Sequence, residues 1–185
     1  MTGLVVDILD LPPTIGATKQ IHLDLVAPED LGTGVIGAEP GSPLILDASL
    51  SSMEDGVLVR GRAQVRVHGE CARCLTGIDS EREITFDELY LLPDKAARAR
   101  AAEEDEEADD IFVAGETTVD LEPALRDALI LDLPLRPLCR PDCAGLCSQC
   151  GERLEDLPAD HHHDAIDPRW AALSGLLPDP DEAQD

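Results

Sequence analysis

The 185-residue sequence has very few aromatic residues: one tryptophan, one tyrosine and two phenylalanines, 2% of the chain. Any hydrophobic core must therefore be mainly aliphatic. Basic residues are also scarce, with 14 lysines and arginines against 39 acidic residues and a formal net charge of −25. Such a charge repels nucleic-acid phosphates and anionic lipid head groups, so we expect no high-affinity binding of naked nucleic acid. Basic proteins are better electrostatic partners.

Long apolar runs are missing as well. No segment approaches the roughly 20 apolar residues that a membrane-spanning helix needs. The first ten residues lack the basic region of a secretory signal and are interrupted by Asp7 and Asp10. We therefore expect a cytoplasmic protein without a membrane association. Because structural disulfides are rare in the reducing cytoplasm, the six cysteines are better explained as metal ligands.

The sequence also lacks the common catalytic signatures. It contains no G-x-x-x-x-G-K-[ST], G-x-G-x-x-G, H-E-x-x-H or G-x-S-x-G motif. Acidic residues are so abundant that pairing any two of them as acid and base would be arbitrary. We therefore expect the protein not to be an enzyme.

The first half of the chain has the short-period alternation of β-strands. The clearest strand is 56–68, and further strands are predicted at 44–50, 78–92 and 20–26. Such consecutive strands favour an antiparallel sheet or a small barrel. The residues predicted to face inward are Val57, Val59, Gly61, Ala63, Val65 and Val67 of the strand 56–68, and Ile84, Phe86 and Leu92 of the strand 78–92.

The second half is predicted to contain helices, which makes the fold class α+β. Pro93 ends the β-rich region, 95–102 is a short helix, and the like charges of 103–110 indicate a solvated linker. From Thr118 the apolar period becomes helical, and Pro134 and Pro137 stop this helix. The residues predicted to form its apolar face are Leu121, Leu125, Ala128, Leu129 and 131–133. A last short helix opens at 167–168. Its apolar side consists of Trp170, Leu173, Leu176 and Leu177.

These patterns divide the chain into four parts. Residues 1–93 form a β-rich domain and 94–118 an acidic linker. Residues 119–178 contain the central helix and a cysteine-rich zinc-knuckle segment, which we expect to pack on the β domain. Residues 179–185 are expected to be a disordered tail.

The six cysteines have the spacing of metal ligands. Cys71 and Cys74 form one C-x-x-C pair, and Cys147 and Cys150, followed by Gly151, form another. A tight turn can bring both sulfurs of such a pair to about 2.3 Å from one zinc ion. On a regular strand the first pair would point to opposite faces, so it can share an ion only if the chain turns there. The remaining cysteines, with C-x-x-x-C spacing, are Cys139 and Cys143.

Six thiols do not fill two four-ligand shells. The favoured partition joins Cys71 and Cys74 to Cys139 and Cys143, and completes the shell of Cys147 and Cys150 with His161 and His163 from the run 161–163. The alternative is a single site made of the two C-x-x-C pairs. One or two Zn²⁺ ions per chain are therefore expected, with filled structural shells. A redox role is less favoured, because neither C-x-x-C pair opens a helix after a strand.

Longer segments resemble one protein family. They are CARCL at 71–75, DLEPALRDALILDLP at 120–134, PLC at 137–139, CAGLCSQCG at 143–151 and IDPRWAAL at 166–173. In order and spacing they resemble the DUF177 family, the YceD-like large ribosomal RNA accumulation proteins. Members commonly have a further Cys-x-Cys after the second knuckle, and here 161–163 stands at about that place. The resemblance thus supports histidines as substitute ligands.

The resemblance implies a factor for the synthesis, processing or accumulation of large-subunit ribosomal RNA, and it brings no catalytic residues with it. With the acidic charge, it indicates large-subunit precursors or basic ribosomal proteins as partners. The alternative is a protein that delivers or buffers zinc for zinc-ribbon ribosomal proteins. In that case the site of Cys147 and Cys150 would exchange its ion more readily.

Overall fold

The computed structural model of the chain describes residues 3–102, 111–163 and 169. It divides into two compact units, of which the first ends at Cys143 and the second begins at Ala144. In chain order the elements are β1 (Val5–Asp7), β2 (Thr18–Val26), β3 (Ile36–Ala38), β4 (Pro43–Ser52), β5 (Gly56–Glu70), β6 (Gly77–Leu91), α1 (Pro93–Ala102), β7 (Thr118–Asp120) and α2 (Glu122–Asp132).

A five-stranded antiparallel sheet is the centre of the first unit. β5 pairs with β6 along its whole length on one edge, and with β4 and then β3 on the other. β2 pairs with β4. Within the residues that the structure describes, no pairing of β2 with β6 closes the sheet into a barrel. The predicted α+β class and antiparallel sheet are therefore confirmed.

The side chains of β5 alternate between the core and the exposed face, as predicted, because its valines and alanine fall on one side. Gly61, one of the inward-facing residues of β5, packs closely against β6. A β-carbon there would lie 2.2 Å from Cζ of Phe86, the residue directly opposite on β6. Glycine at this point lets the only phenylalanine of β6 lie flat over the neighbouring strand.

The core lies between this sheet and the short elements that cover it. β1 and β7 form a separate two-stranded antiparallel sheet, and α2 follows directly. Leu121, Leu125 and Leu129 are fully buried, four residues apart on one face of α2. The Arg82 guanidinium of β6 pairs with the Asp132 carboxylate at the end of α2, at 3.5 Å.

Three details of the sequence prediction are wrong. Leu92 is 38% exposed, because β6 ends at Leu91 and Pro93 begins α1; Tyr90 is buried instead. Residues 118–120 form β7 rather than the start of the helix, because they pair with β1. Leu131 is 85% exposed, because it lies about 200° around the helix from Leu129.

Other expectations concern residues beyond those described. The acidic run 103–110, the helix from 167 with the apolar side of Trp170, and the tail 179–185 lie outside the described residues. The four-part division of the chain stays a prediction. None of the described helices is long and apolar enough to cross a bilayer.

We predict that Gly61→Ala lowers the free energy of unfolding by about 1–3 kcal/mol, because its methyl group forces the Phe86 ring out of position. The matched control is Gly77→Ala on β6. There the nearest atom that the structure describes is Cε1 of His68, at 3.9 Å from a β-carbon, so a change within about 0.5 kcal/mol is expected. Urea unfolding measures both, and equal losses in the two variants would contradict the explanation.

Candidate metal centre

The first cysteine pair lies in the turn that joins β5 to β6. The backbone N–H of Cys71 donates to the carbonyl of Thr76 at 2.8 Å, and that of Leu75 donates back to the carbonyl of Cys71 at 2.9 Å. Leu75 has a φ of 58°, in the left-handed region. The chain therefore turns between the two cysteines, and both sulfurs can face one ion.

The second pair of this cluster comes from the segment after α2. The N–H of Ala72 donates to the carbonyl of Pro137 at 2.8 Å, and Nη1 of Arg73 donates to the carbonyl of Cys143 at 2.8 Å. Residues inside the first knuckle thus hold the segment that carries Cys139 and Cys143. The spacing of the cysteines does not reveal these supporting roles, although both residues lie within the C-x-x-C pair.

The four sulfurs have the separations of a tetrahedral site. With zinc–sulfur bonds of about 2.3 Å, tetrahedral geometry separates two ligand sulfurs by about 3.8 Å. Sγ of Cys71 lies 3.8 Å from Sγ of Cys143, and Sγ of Cys74 lies 3.6 Å from Sγ of Cys139. All four lie within 4.8 Å of one another. The first cluster therefore fits one four-coordinate ion.

A second knuckle in the second unit repeats the backbone pattern of the first. The N–H of Cys147 donates to the carbonyl of Glu152 at 2.7 Å, and that of Gly151 donates to the carbonyl of Cys147 at 2.9 Å. Gly151 has a φ of 75°. It occupies the position that Leu75 has in the first knuckle, so both pairs use the same turn with one left-handed residue.

Two of the three consecutive histidines lie beside this knuckle. Nε2 of His163 lies 3.3 Å from Sγ of Cys147, and Nε2 of His161 lies 3.7 Å from Sγ of Cys150. With zinc bonds of about 2.3 Å to sulfur and about 2.05 Å to nitrogen, tetrahedral geometry separates a ligand sulfur from a ligand nitrogen by about 3.6 Å. The ring of the middle residue is engaged elsewhere, with Nδ1 of His162 2.8 Å from the carbonyl of Asp160.

The structure thus groups the predicted ligands in the two sets of the favoured partition. Their ligand atoms lie within 4.8 Å of one another in each set. The alternative of one site made of both C-x-x-C pairs is not favoured, because the first pair lies with Cys139 and Cys143. The sets are Cys71, Cys74, Cys139 and Cys143, and then Cys147, Cys150, His161 and His163.

The remaining histidines lie on the exposed face of the sheet, outside both sets. Nδ1 of His22 on β2 lies 2.6 Å from the carboxylate of Asp47. Nδ1 of His68 on β5 lies 2.9 Å from that of Asp79. Hydrogen bonding and charge attraction from these carboxylates raise the pKa of both imidazoles. Both histidines therefore pair with carboxylates on the exposed face of the sheet.

Comparison with known proteins bears on the same segments. The family model of the large ribosomal RNA subunit accumulation protein YceD matches residues 59–177, which contain both clusters. The chain belongs to the YceD family. Comparison with solved structures finds no significant match.

Relatives of this YceD chain occur in bacteria and in a plant. An uncharacterized protein of Mycobacterium tuberculosis is 39% identical over 94% of this chain and 81% of its own length. An uncharacterized protein of Mycobacterium leprae is 35% identical over 96% of this chain and 79% of its own length. The chloroplastic YCED homolog 1 of Zea mays, named as a large ribosomal RNA subunit accumulation protein, is 24% identical over 64% of this chain and 48% of its own.

The first cluster of this YceD chain stabilises some thiolates more than others. Burial opposes ionisation of Cys71, but backbone N–H groups of Cys139, Arg73 and Cys74 lower its pKa to about 6. The hydroxyl and backbone of Thr76 lower the pKa of Cys74. Desolvation of the sulfur and then the neighbouring thiols raise the pKa of Cys139 to about 12, although the residue as a whole is exposed. A bound cation would offset this repulsion among the four sulfurs.

The second cluster also favours a thiolate. Backbone N–H groups of Cys150 and Gln149, and then the ring of His161, lower the pKa of Cys147 to about 6. Donors around a cysteine sulfur stabilise the thiolate, and the thiolate is the form that binds metals. Each cluster therefore has both the ligand count and the hydrogen bonding of a metal site.

We predict that Leu75→Gly raises the free energy of unfolding by about 0.5–1 kcal/mol, because it relieves the left-handed strain. The side chain is 62% exposed, so little packing is lost. Leu75→Ala is the matched control, since it keeps the strain. Denaturant unfolding measures both variants, and an equal gain with alanine would show that the φ angle is not the cause.

Proposed function

We propose that this YceD protein is a non-enzymatic, zinc-binding, cytoplasmic factor that supports the synthesis, processing or accumulation of large-subunit ribosomal RNA. The observation that carries the proposal is the match of the YceD family model over residues 59–177. The name of the maize homologue, an rRNA accumulation protein, supports the same pathway.

Zinc is the metal that best suits both ligand sets. Four thiolates, or two thiolates and two imidazoles, in tetrahedral arrangement are typical of structural zinc sites. Carboxylate-preferring ions such as magnesium and calcium need oxygen ligands, and none belongs to either set. We assign one Zn²⁺ to each set, held by the eight residues named above.

The metal would join segments that are distant in sequence. Cys71 and Cys143 are 72 residues apart, and β6, α1, β7 and α2 lie between them. Closing a loop of this length lowers the entropy of the unfolded chain. The role of the first ion is therefore to stabilise the fold rather than to carry out a reaction.

Two properties support a function without catalysis. Four protein ligands per ion leave no coordination position for a water nucleophile. The sequence has none of the catalytic motifs sought above. We therefore assign the protein a binding role in the rRNA pathway.

The charge supports a protein partner. A net charge of −25 opposes contact with bare rRNA and favours basic ribosomal proteins on large-subunit precursors. An acidic protein can shield such basic surfaces until they meet rRNA. The partner class is thus a basic protein component of the large subunit or its precursors.

A second candidate function is zinc delivery or buffering. It is favoured by the greater exposure of the second cluster, in which Cys150 and His163 are exposed, whereas in the first cluster Cys139 is exposed and the other three cysteines are buried. A more exposed ion is more accessible to an acceptor. Release of the second ion to a chelator much faster than the first would favour delivery, and equal slow release from both would argue against it.

We predict two zinc ions per chain, each lost independently. Elemental analysis of purified protein should give two for the wild type and one each for Cys71→Ser and Cys147→Ser, because each variant breaks one ligand set. Ser148→Ala, in the second knuckle but not a ligand, is the control and should retain both ions. Loss of both ions in either cysteine variant would sink the two-site assignment, and unchanged stability of the metal-free protein would exclude a structural role.

We predict salt-sensitive association with large-subunit particles. Sedimentation of the zinc-loaded protein with precursor particles should show binding at low salt that weakens as salt rises, because charge attraction is screened. Deproteinised large-subunit rRNA is the control and should not bind. Equal binding to that rRNA would contradict a protein partner, and cleavage of precursor rRNA by the purified protein would contradict the non-enzymatic role.

A further inference from the structure

A groove in the first unit lies apart from both cysteine clusters. It has a volume of about 860 Å³ and is bounded by the end of β6, the segment 111–113 and one side of α2. Backbone hydrogen bonds fix one wall: the N–H of Leu91 donates to the carbonyl of Phe112, and the N–H of Ala114 donates to the carbonyl of Leu91, both at 2.9 Å. The groove is therefore part of the folded unit.

The walls of the groove are apolar and its charged lining residues are mostly acidic. Ile130 and Leu131 of α2 contribute exposed aliphatic side chains. Among the described lining residues, the carboxylates of Glu88, Asp120 and Asp127 outnumber the guanidinium of Arg100. Burial, and then the charges of Asp127 and Asp87, raise the pKa of Glu88. The groove thus combines apolar contact area with crowded negative charge.

Tyr90 gives an independent indication that something binds here. It lines the groove, is 2% exposed, and has a hydroxyl that finds no hydrogen-bond partner among the residues that the structure describes. Its ring contacts that of Phe112, with centroids 5.3 Å apart. A buried hydroxyl without a partner destabilises the unbound protein. The hydroxyl of Tyr90 is covered by neighbouring side chains. A ligand in the groove therefore reaches it when those side chains change rotamer, as is common at interfaces.

We propose that this groove binds a basic amphipathic segment of a partner protein, with its aliphatic side chains on the α2 wall and its lysines or arginines at the three carboxylates. Lysine and arginine suit such a place, because their stems are apolar and their heads are charged. Their N–H groups, or a backbone amide beside them, can donate to the hydroxyl of Tyr90. The surface adds a contact site to the proposed function and needs neither metal site.

Charge distinguishes this occupant from others. The acidic run 103–110 of the chain itself, or a second copy with its net charge of −25, would bring further negative charge to the carboxylates. A phosphate backbone would do the same. A cationic partner relieves their repulsion, so the groove favours a basic segment over each of these.

The probe is a short synthetic peptide of leucine and lysine at helical spacing, titrated by calorimetry into the zinc-loaded full chain. Two control peptides replace every lysine by glutamate or every leucine by serine. We expect binding of the leucine–lysine peptide at least about tenfold tighter than that of either control, because both contact types contribute. Equal binding of the serine control would reduce the effect to non-specific charge and overturn the proposal.

Two substitutions test whether the leucine–lysine peptide binds in the groove. Leu131→Asp should weaken binding at least about tenfold, because it places a charge against the apolar face of the peptide. Leu135→Asp is the matched control: Leu135 is 97% exposed and does not line the groove, so it should bind as the wild type does. Equal effects of the two substitutions would overturn the assignment.

Tyr90→Phe separates binding from folding. Removal of the unpartnered hydroxyl should raise the unfolding temperature of the free protein. It should also weaken binding of the leucine–lysine peptide about fivefold. Unchanged affinity would remove the hydroxyl from the interface and overturn its role.

Two observations would identify a different occupant of the groove. One is a dimer that forms as the protein concentration rises, and the other is a cross-link from the groove to 103–110 or 164–185. Either one, if abolished by Leu131→Asp, would overturn the proposed occupant. Failure here with intact particle association would leave the proposed function standing.

Discussion

The meeting of the β5–β6 turn with the segment after α2 is the constraint on which the first unit depends. Ala72 and Arg73, inside the first knuckle, donate hydrogen bonds to carbonyls of Pro137 and Cys143. These bonds fix the end of the long hairpin against a segment that the chain reaches only after β7 and α2. The four sulfurs meet because the backbone brings them together, and hydrogen bonding already favours the thiolates of Cys71 and Cys74.

The two knuckles show how one turn can serve different surroundings. Each uses the same pair of backbone hydrogen bonds and one left-handed residue, Leu75 or Gly151. The first is buried and lies beside two further thiols from a remote segment. The second is more exposed and lies beside two imidazoles from nearby in the chain. The exposure of a site thus follows from where its partner ligands come from rather than from the knuckle.

Much of this arrangement is predictable from the sequence. The alternation of β5 and the helix stop at Pro134 follow from residue spacing. The two candidate ligand sets follow from cysteine spacing together with the family resemblance, which supports the histidines. The strand at 118–120 is not predictable in this way, because three residues have no periodicity and depend on pairing with β1. Leu131 has the residue type of a core position, and only helix geometry places it on the exposed side. The groove beside Tyr90 depends on three elements meeting, which no local pattern encodes.

The sequence separation of the ligands has a consequence for synthesis of the chain. Cys74 leaves the ribosome 65 residues before Cys139, roughly 3–13 s at translation rates of about 5–20 residues per second. The ligands of the second cluster span 16 residues from Cys147 to His163, which takes about 1–3 s at the same rates. On the zinc assignment proposed above, an ion captured early by the first knuckle would have a half-filled shell while 65 of the 185 residues are added. The nascent hairpin could then exchange that ion with cellular thiols until Cys139 and Cys143, which follow α2, have been made.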